Sequence, residues 1–335
     1  MNSSLLEAVA LISKANKIII VGHINPDGDV IGSMLGLGKA LEKIGKQCQL
    51  VLPDELPTLF SFLPGITSVV CSPGHLETAD TVITLDSSDF SRLGSVYTDN
   101  AQLFQSVPVL NIDHHVTNQR FGSVNWVDIE AAAVAEQVYL LIEKLGIPFD
   151  SGIATCLLTG IVADTRCFRT QSTQPRTMEI ASELMRAGAS LSQIVDWVYN
   201  TKKLSTLQLW VKVLSTLESS GGMVWAEVTQ EMFDEVGARA EETDDLVSLI
   251  GGVREAKLAL LFKENGNGVV KVSLRSNGEI DVAEAAAHFG GGGHPRAAGC
   301  TVHGTVAEAK EVVLSFLRRY MAKSSADQIG DGDSR

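Results

Sequence analysis

Residues 17–29 read KIIIVGHINPDGD. The first six are a short apolar run rich in β-branched residues, which marks a strand buried on both faces of a parallel sheet. His23, Asp27 and Asp29 follow at once, beyond the carboxyl end of that strand, where open α/β sheets bind their ligands. Pro26 and Gly28 turn the chain so that the three side chains can converge. Residues 32–44 then carry helical spacing through Met34, Leu35, Leu37, Leu41 and Ile44, and stop at Gly45. Gly32 and Ser33 open this predicted helix, whose first N–H groups suit a phosphate.

The same alternation continues. Gln47–Leu52, Thr81–Leu85 and residues 107–112 read as strands, and 131–145, 153–162 and 177–187 as helices. This predicts an α/β fold over residues 1–190, a parallel sheet with helices on both faces. Residues 191–220 read as a helical connector, with Trp197, Leu204, Leu207 and Trp210 as its packing residues. After a break at Ser219-Ser220-Gly221-Gly222, strands at Met223–Val228, 258–262 and 269–274 and helices at 282–288 and 306–320 predict a smaller α/β domain over 221–322. Residues 323–335 are expected to be a disordered tail.

The chain has 335 residues, 45% hydrophobic and 20% charged, enough to bury one large core or two of ordinary size. Its formal net charge is −13, and residues 1–190 carry 20 acids against 12 bases. That balance argues against long nucleic acid, which is held chiefly through its phosphates. No stretch approaches the roughly 18 uninterrupted apolar residues of a membrane helix. Glu7, Lys14 and Lys17 interrupt every candidate secretory signal. Five cysteines, with no C-x-x-C pair, fit a reducing cytoplasm.

The acid excess has a purpose. Asp86 follows Thr81–Leu85, Asp113-His114-His115 closes the next strand, and Asp164 lies near the end of an apolar helix. Taken singly, each fits an ordinary role: a helix cap, a turn residue, one buried and one solvated histidine. Together with His23, Asp27 and Asp29 they form a set of metal-type ligands at the ends of elements. Several carboxylates with a minority of imidazoles suit Mn²⁺ or Mg²⁺. More ligands are present than one ion needs, so two ions sharing a carboxylate are expected, the usual device for activating water against a phosphate ester.

The second domain holds a different constellation, Gly290-Gly291-Gly292-Gly293-His294-Pro295-Arg296-Ala297-Ala298-Gly299. Four consecutive glycines cost conformational entropy and need a reason. Their backbone can approach a ligand closely and form an anion-binding nest, to which His294 and Arg296 add charge. Arg275 and Ser276, at the end of another strand, could face the same pocket.

In order, HINPDGD, ITLD, DHH and GIVADT resemble the four motifs of the DHH phosphoesterase superfamily, and SLRS and GGGHPRAAG resemble its associated DHHA1 domain. A two-domain chain of this size is most similar to the stand-alone nano-RNase/pAp phosphatase type. That resemblance implies an active-site cleft between the domains and hydrolysis of short RNA or DNA oligonucleotides, dinucleotides such as pApA, or 3′-phosphoadenosine 5′-phosphate (pAp). It implies one cation on His23, Asp27 and Asp86 and a second on Asp29, Asp86, His114 and Asp164, with Mn²⁺ expected and Mg²⁺ or Co²⁺ as alternatives. Asp86, Asp113 and His115 would be catalytic. Arg275, Ser276, Gly291, Gly292, Gly293, His294 and Arg296 would bind substrate. A homodimer with no membrane partner is implied as well. Arg166-Cys167 stands where the family has a small Gly-Ser pair, which bears on substrate choice. Cyclic di-AMP hydrolysis is the main alternative. A RecJ-type single-strand exonuclease, a manganese inorganic pyrophosphatase and a non-catalytic nucleotide sensor stand behind it.

Overall fold

The computed structural model describes residues 3–330 apart from positions 244 and 279. It divides into two compact units between Thr201 and Lys202.

The first unit is built on six parallel strands: β1 (Lys17–Val21), β2 (Gln47–Leu52), β3 (Val69–Cys71), β4 (Thr81–Leu85), β5 (Val109–Asp113) and β6 (Val124–Val127). Their order is β3-β2-β1-β4-β5-β6, so the winding reverses between β1 and β4. That reversal opens a crevice at the strands' carboxyl ends. Both faces of the sheet are covered: Ile18 and Ile20 join one apolar cluster, whereas Ile19 and Val21 join another. Strands β3 and β6 escape the sequence reading because three or four residues are too few to show a period.

The helix after β1 spans Gly28–Lys43 rather than starting at residue 32. Asp27 is its N-cap, and its Oδ1 accepts from the N–H groups of Asp29 and Val30 at 3.0 and 3.1 Å. Gly32 and Ser33 therefore sit inside the helix, buried, and do not offer N–H groups to a phosphate. Gly32 serves packing instead. A Cβ there would lie 2.3 Å from the carbonyl oxygen of Cys156, in the facing helix Ser151–Asp164. The close approach joins the two helices that carry Asp29 and Asp164.

The expected connector is split between the units. Helix Leu191–Val195 and the wide turn Asp196–Asn200 belong to the first, and helix Leu204–Leu214 to the second. Trp210 packs as predicted and donates its indole N–H to the Glu242 carbonyl at 2.9 Å. Trp197 stacks on Phe62 but stays half-exposed. Leu204 and Leu207 are exposed, because the helix turns its other face, with Leu209 and Val213, to the core.

The second unit is a mixed sheet ordered β11-β12-β10-β9-β8-β7, from β7 (Glu218–Ser220), β8 (Met223–Val228), β9 (Leu258–Glu264), β10 (Val269–Ser276), β11 (Gly292–His294) and β12 (Ala297–His303). Only β8 and β9 pair in parallel. Its last helix, Val306–Gly330, runs through residues 323–330, where the sequence reading expects a tail; residues 331–335 lie outside the described residues. No described helix is long and apolar enough to cross a membrane. The five cysteines are free thiols.

The glycine seam generates a prediction. Gly32→Ala places a methyl against backbone that cannot swing aside, so it should lower stability by about 1–3 kcal/mol, read by urea denaturation.

Candidate metal centre and substrate residues

Each ligand candidate is delivered by an element end. His23 follows β1, Asp86 follows β4, Asp113 ends β5 with His114 and His115 behind it, and Asp164 ends helix Ser151–Asp164. Asp86 adopts φ +55°, a left-handed conformation that aspartate tolerates better than most residues and that ends the strand's alternation abruptly.

The side chains converge. Within three groups, one ligand atom per residue lies within 4.8 Å of the others: His23, Asp27 and Asp86; Asp29, His114 and Asp164; and Asp86, His114 and His115. Asp86 is common to two groups, as is His114. All six predicted ligands are thus brought together in the first unit.

The histidines are oriented from behind. His23 Nδ1 donates to its neighbour's carbonyl at Ile24 (2.7 Å), turning Nε2 toward Asp86 Oδ2 at 3.2 Å. His114 Nδ1 donates to the Ala131 carbonyl at 3.0 Å, and its Nε2 lies 3.5 Å from Asp86 Oδ1 and 3.6 Å from Asp164 Oδ2. A ring whose Nδ1 carries the proton keeps the Nε2 lone pair for a cation. His115 differs: its Nδ1 meets the Asp113 carboxylate at 2.8 Å. Asp113 is fully buried and accepts from Asn118 Nδ2 at 2.5 Å, while Asn118 also donates to Asn111 Oδ1.

The electrostatics call for a cation. Asp86 Oδ1 is buried and accepts no hydrogen bond among the described residues. Burial opposes the charge on Asp86, but His114 and His23 outweigh it and hold the carboxyl far below its usual range. Burial pushes Asp29 well above the usual carboxylate range, and repulsion from Asp86 and Asp164 adds to it. Burial, with repulsion from Asp86 and Asp27 prevailing over His114, pushes Asp164 up to about 6. Burial alone would lower His114, yet the Asp86 carboxylate beside its Nε2, with Asp164 and Asp29, raises it to about 11. Crowded carboxylates, an orphaned buried oxygen and two pre-oriented imidazoles fit divalent metal binding.

The helix carrying Asp164 closes unusually. Cys167 N–H bonds the Val162 carbonyl at 2.8 Å and Arg166 N–H the Ala163 carbonyl at 3.2 Å, a Schellman closure with arginine where glycine is customary. Arg166, Cys167 and Phe168 all have positive φ, at 48°, 60° and 62°. Arg166 is exposed.

The predicted substrate residues gather in the second unit. The register sets Arg275 and His294 on either side of Ala297, and Gly293 and Gly292 opposite Ala298 and Gly299. The Arg296 carbonyl accepts from Ser276 N–H at 3.0 Å. His294 and Arg296 are exposed. The glycine run differs from the expected open nest, because Gly292 and Gly293 belong to a strand. A Cβ at Gly291 would lie 2.1 Å from the Gly299 carbonyl oxygen, so this glycine is required by the hairpin itself.

Sequence reasoning missed the supporting groups: Asn118, the Ala131 carbonyl and the buried Glu136. Glu136 left one signal, a lone acid inside the apolar run Ala131–Leu141.

Residues 17–161 match the family model described as the DHH family, N-terminal domain, and residues 223–323 match the DHHA1 domain. A Thermus thermophilus protein named bifunctional oligoribonuclease and PAP phosphatase NrnA is 36% identical over 95% of each chain. The cyclic-di-AMP phosphodiesterase GdpP of Geobacillus thermodenitrificans is 28% identical over 92% of this chain and 48% of its own. Among solved structures, an exopolyphosphatase-related protein from Bacteroides fragilis is similar with a TM-score of 0.90 and 27% identity, over 96% of this chain and 98% of that one.

The protonated ion-free centre makes a thermodynamic prediction. At pH 7 His114, with its pKa near 11, holds a proton that a cation must displace. Titration calorimetry with Mn²⁺ in buffers of different ionisation enthalpy should show net proton release, with affinity rising from pH 6 to pH 8. A binding enthalpy independent of the buffer would contradict it.

Proposed function

Because the chain belongs to the DHH phosphoesterase family, with a DHHA1 domain behind its DHH domain, we propose that it hydrolyses short oligonucleotides, dinucleotides such as pApA, and pAp. The similarity to the Thermus oligoribonuclease and pAp phosphatase along 95% of both chains is the observation that carries this reading. The ligand groups that share Asp86 and His114 support it chemically.

His23, Asp27 and Asp86 would hold one divalent cation and Asp29, Asp86, His114 and Asp164 a second, Mn²⁺ in the first place. What such a pair supplies when bound is an activated water and neutralisation of the phosphoryl oxygens. His115 is the group that hands a proton to the leaving sugar oxygen. Its hydrogen bond to Asp113 raises its pKa against the opposing effect of burial, which favours the protonated ring that a general acid needs. Asp113, fixed by Asn118, sets the ring's orientation. Arg275, Ser276, His294 and Arg296, with the Gly291–Gly293 backbone, hold a terminal phosphate or base and so measure substrate length. The net charge of −13 repels longer polyanions. We place the protein in the cytoplasm, as a homodimer, away from membranes.

Cyclic di-AMP hydrolysis is the second reading, favoured by the GdpP similarity along most of this chain. An activity panel with Mn²⁺, comparing pAp, pApA, cyclic di-AMP and RNAs of two to five nucleotides, separates the two. We expect pAp and the short linear substrates to turn over fastest; a preference for cyclic di-AMP selects the second reading. Asp86→Ala should reduce hydrolysis to background with an unchanged circular dichroism spectrum, and full activity there would sink the assignment. Arg296→Ala should raise KM for these substrates while leaving turnover of a small generic diester unchanged.

A further inference from the structure

We propose that Glu136, Arg176 and Asp128 form a clamp that sets the affinity of one metal position, that of Asp29, His114 and Asp164, and not of the other. The proposal rests on the two-cation reading above.

Glu136 lies in the first turn of helix Val134–Lys144 with its side chain fully buried. Its carboxylate accepts from Arg176 Nε, from Thr177 Oγ1 at 3.0 Å and from the Ala132 N–H at 3.3 Å. Arg176 uses a second nitrogen on Asp128 Oδ2 at 3.2 Å. One guanidinium therefore ties together both ends of the loop 128–133, by Asp128 at its start and by Glu136 through Ala132 near its end. Arginine suits this task because its planar fork serves two carboxylates at fixed angles.

That loop and the helix start that follows it bear on two of the proposed metal ligands. The Ala131 carbonyl, inside it, accepts His114 Nδ1. The N–H groups of Val134 and Ala135, immediately after it, donate to the two oxygens of Asp29 at 2.6 and 2.9 Å. His114 and Asp29 belong to the same ligand group. The other group is oriented locally: His23 by the Ile24 carbonyl, and Asp27 by the N–H groups that it caps. The asymmetry is what gives the clamp a specific consequence. Partners behind metal ligands contribute about 10–100-fold in affinity, because they fix the ligand's direction and basicity.

The test counts and weighs Mn²⁺ on the full-length protein by calorimetry and by electron paramagnetic resonance of free Mn²⁺. Arg176→Met removes the tie but leaves Glu136 buried and unpaired, at a cost to folding. The double variant Glu136→Gln with Arg176→Met avoids that penalty, and Arg176→Lys keeps the charge without the fork. The unsubstituted protein should bind two ions. In the clamp variants one ion should weaken by about 10–100-fold while the other stays within about twofold, with Arg176→Lys intermediate. Combined with Asp27→Asn, the double variant should lose both ions; combined with Asp29→Asn, it should lose no more than Asp29→Asn alone. Equal weakening of both ions, or of neither in folded variants, overturns the clamp. Fewer than two ions on the unsubstituted protein overturns the two-cation reading itself.

Discussion

Carboxylates gathered in one buried place repel one another, and the first unit is organised around tolerating that repulsion at Asp86. Asp27, Asp29 and Asp164 all act on it or through its neighbours, and His23 and His114 face it with ring nitrogens. Without an ion, the imidazoles face the charge of Asp86: His114 and His23 hold its carboxyl far below the usual range, while burial and the other carboxylates push Asp29 up. A divalent cation would do the same task with a single charge centre, and Asp86 Oδ1, which accepts no hydrogen bond among the described residues, would be available to it. The sheet supplies the meeting place. Strands β1, β4 and β5 are neighbours whose carboxyl ends open on the reversal of winding, so residues far apart in sequence arrive within a few ångströms. The helices bring the rest, and only glycine at position 32 lets them approach closely enough.

Two adjacent histidines in one short motif meet different groups behind them. The Ala131 carbonyl behind His114 fixes the proton on Nδ1 and leaves Nε2 a lone pair, which suits a ligand. The Asp113 carboxylate behind His115 favours the charged ring, which suits a proton donor. The fold, through β5 ending at Asp113 and the loop around Ala131, makes that distinction; the letters HH do not.

This is also where legibility in the sequence stops. The clustering of His and Asp at strand ends is readable, because residues set directly after a buried strand stand at the mouth of the crevice where such sheets bind. The sheet's central strands are readable from apolar runs, but β3 and β6 are too short. The helix start at Gly28 is hidden because Asp27 is both a cap and a ligand candidate, and the sequence shows only one of these at a time. The glycine run announces close approach but not of what: at Gly291 the near atom is the Gly299 carbonyl, in its own hairpin. Leu204 and Leu207 share their helix with Leu209 and Val213, and periodicity alone does not say which stripe faces the core. Glu136 and Arg176 lie 40 residues apart, and nothing local links them.

The turn after Asp164 shows what the site requires of its surroundings. Left-handed backbone costs a side-chain-bearing residue about 1–2 kcal/mol, and here three residues in succession adopt it. Hydrogen bonds offset the cost: the two of the Schellman closure, the Thr165 hydroxyl that accepts the Phe168 N–H at 2.9 Å, and the Tyr199 hydroxyl that donates to the Val162 carbonyl at 3.0 Å. Glycine would occupy the first of these positions without strain. Arginine there keeps a positive charge exposed two residues from the ligand candidate Asp164, in a unit whose residues 1–190 carry 20 acids against 12 bases. Strain of this kind persists where the surrounding bonds over-determine the backbone, and it clusters at functional sites. Its position after Asp164 puts the helix end, the ligand candidate and the arginine in one local unit held by those bonds.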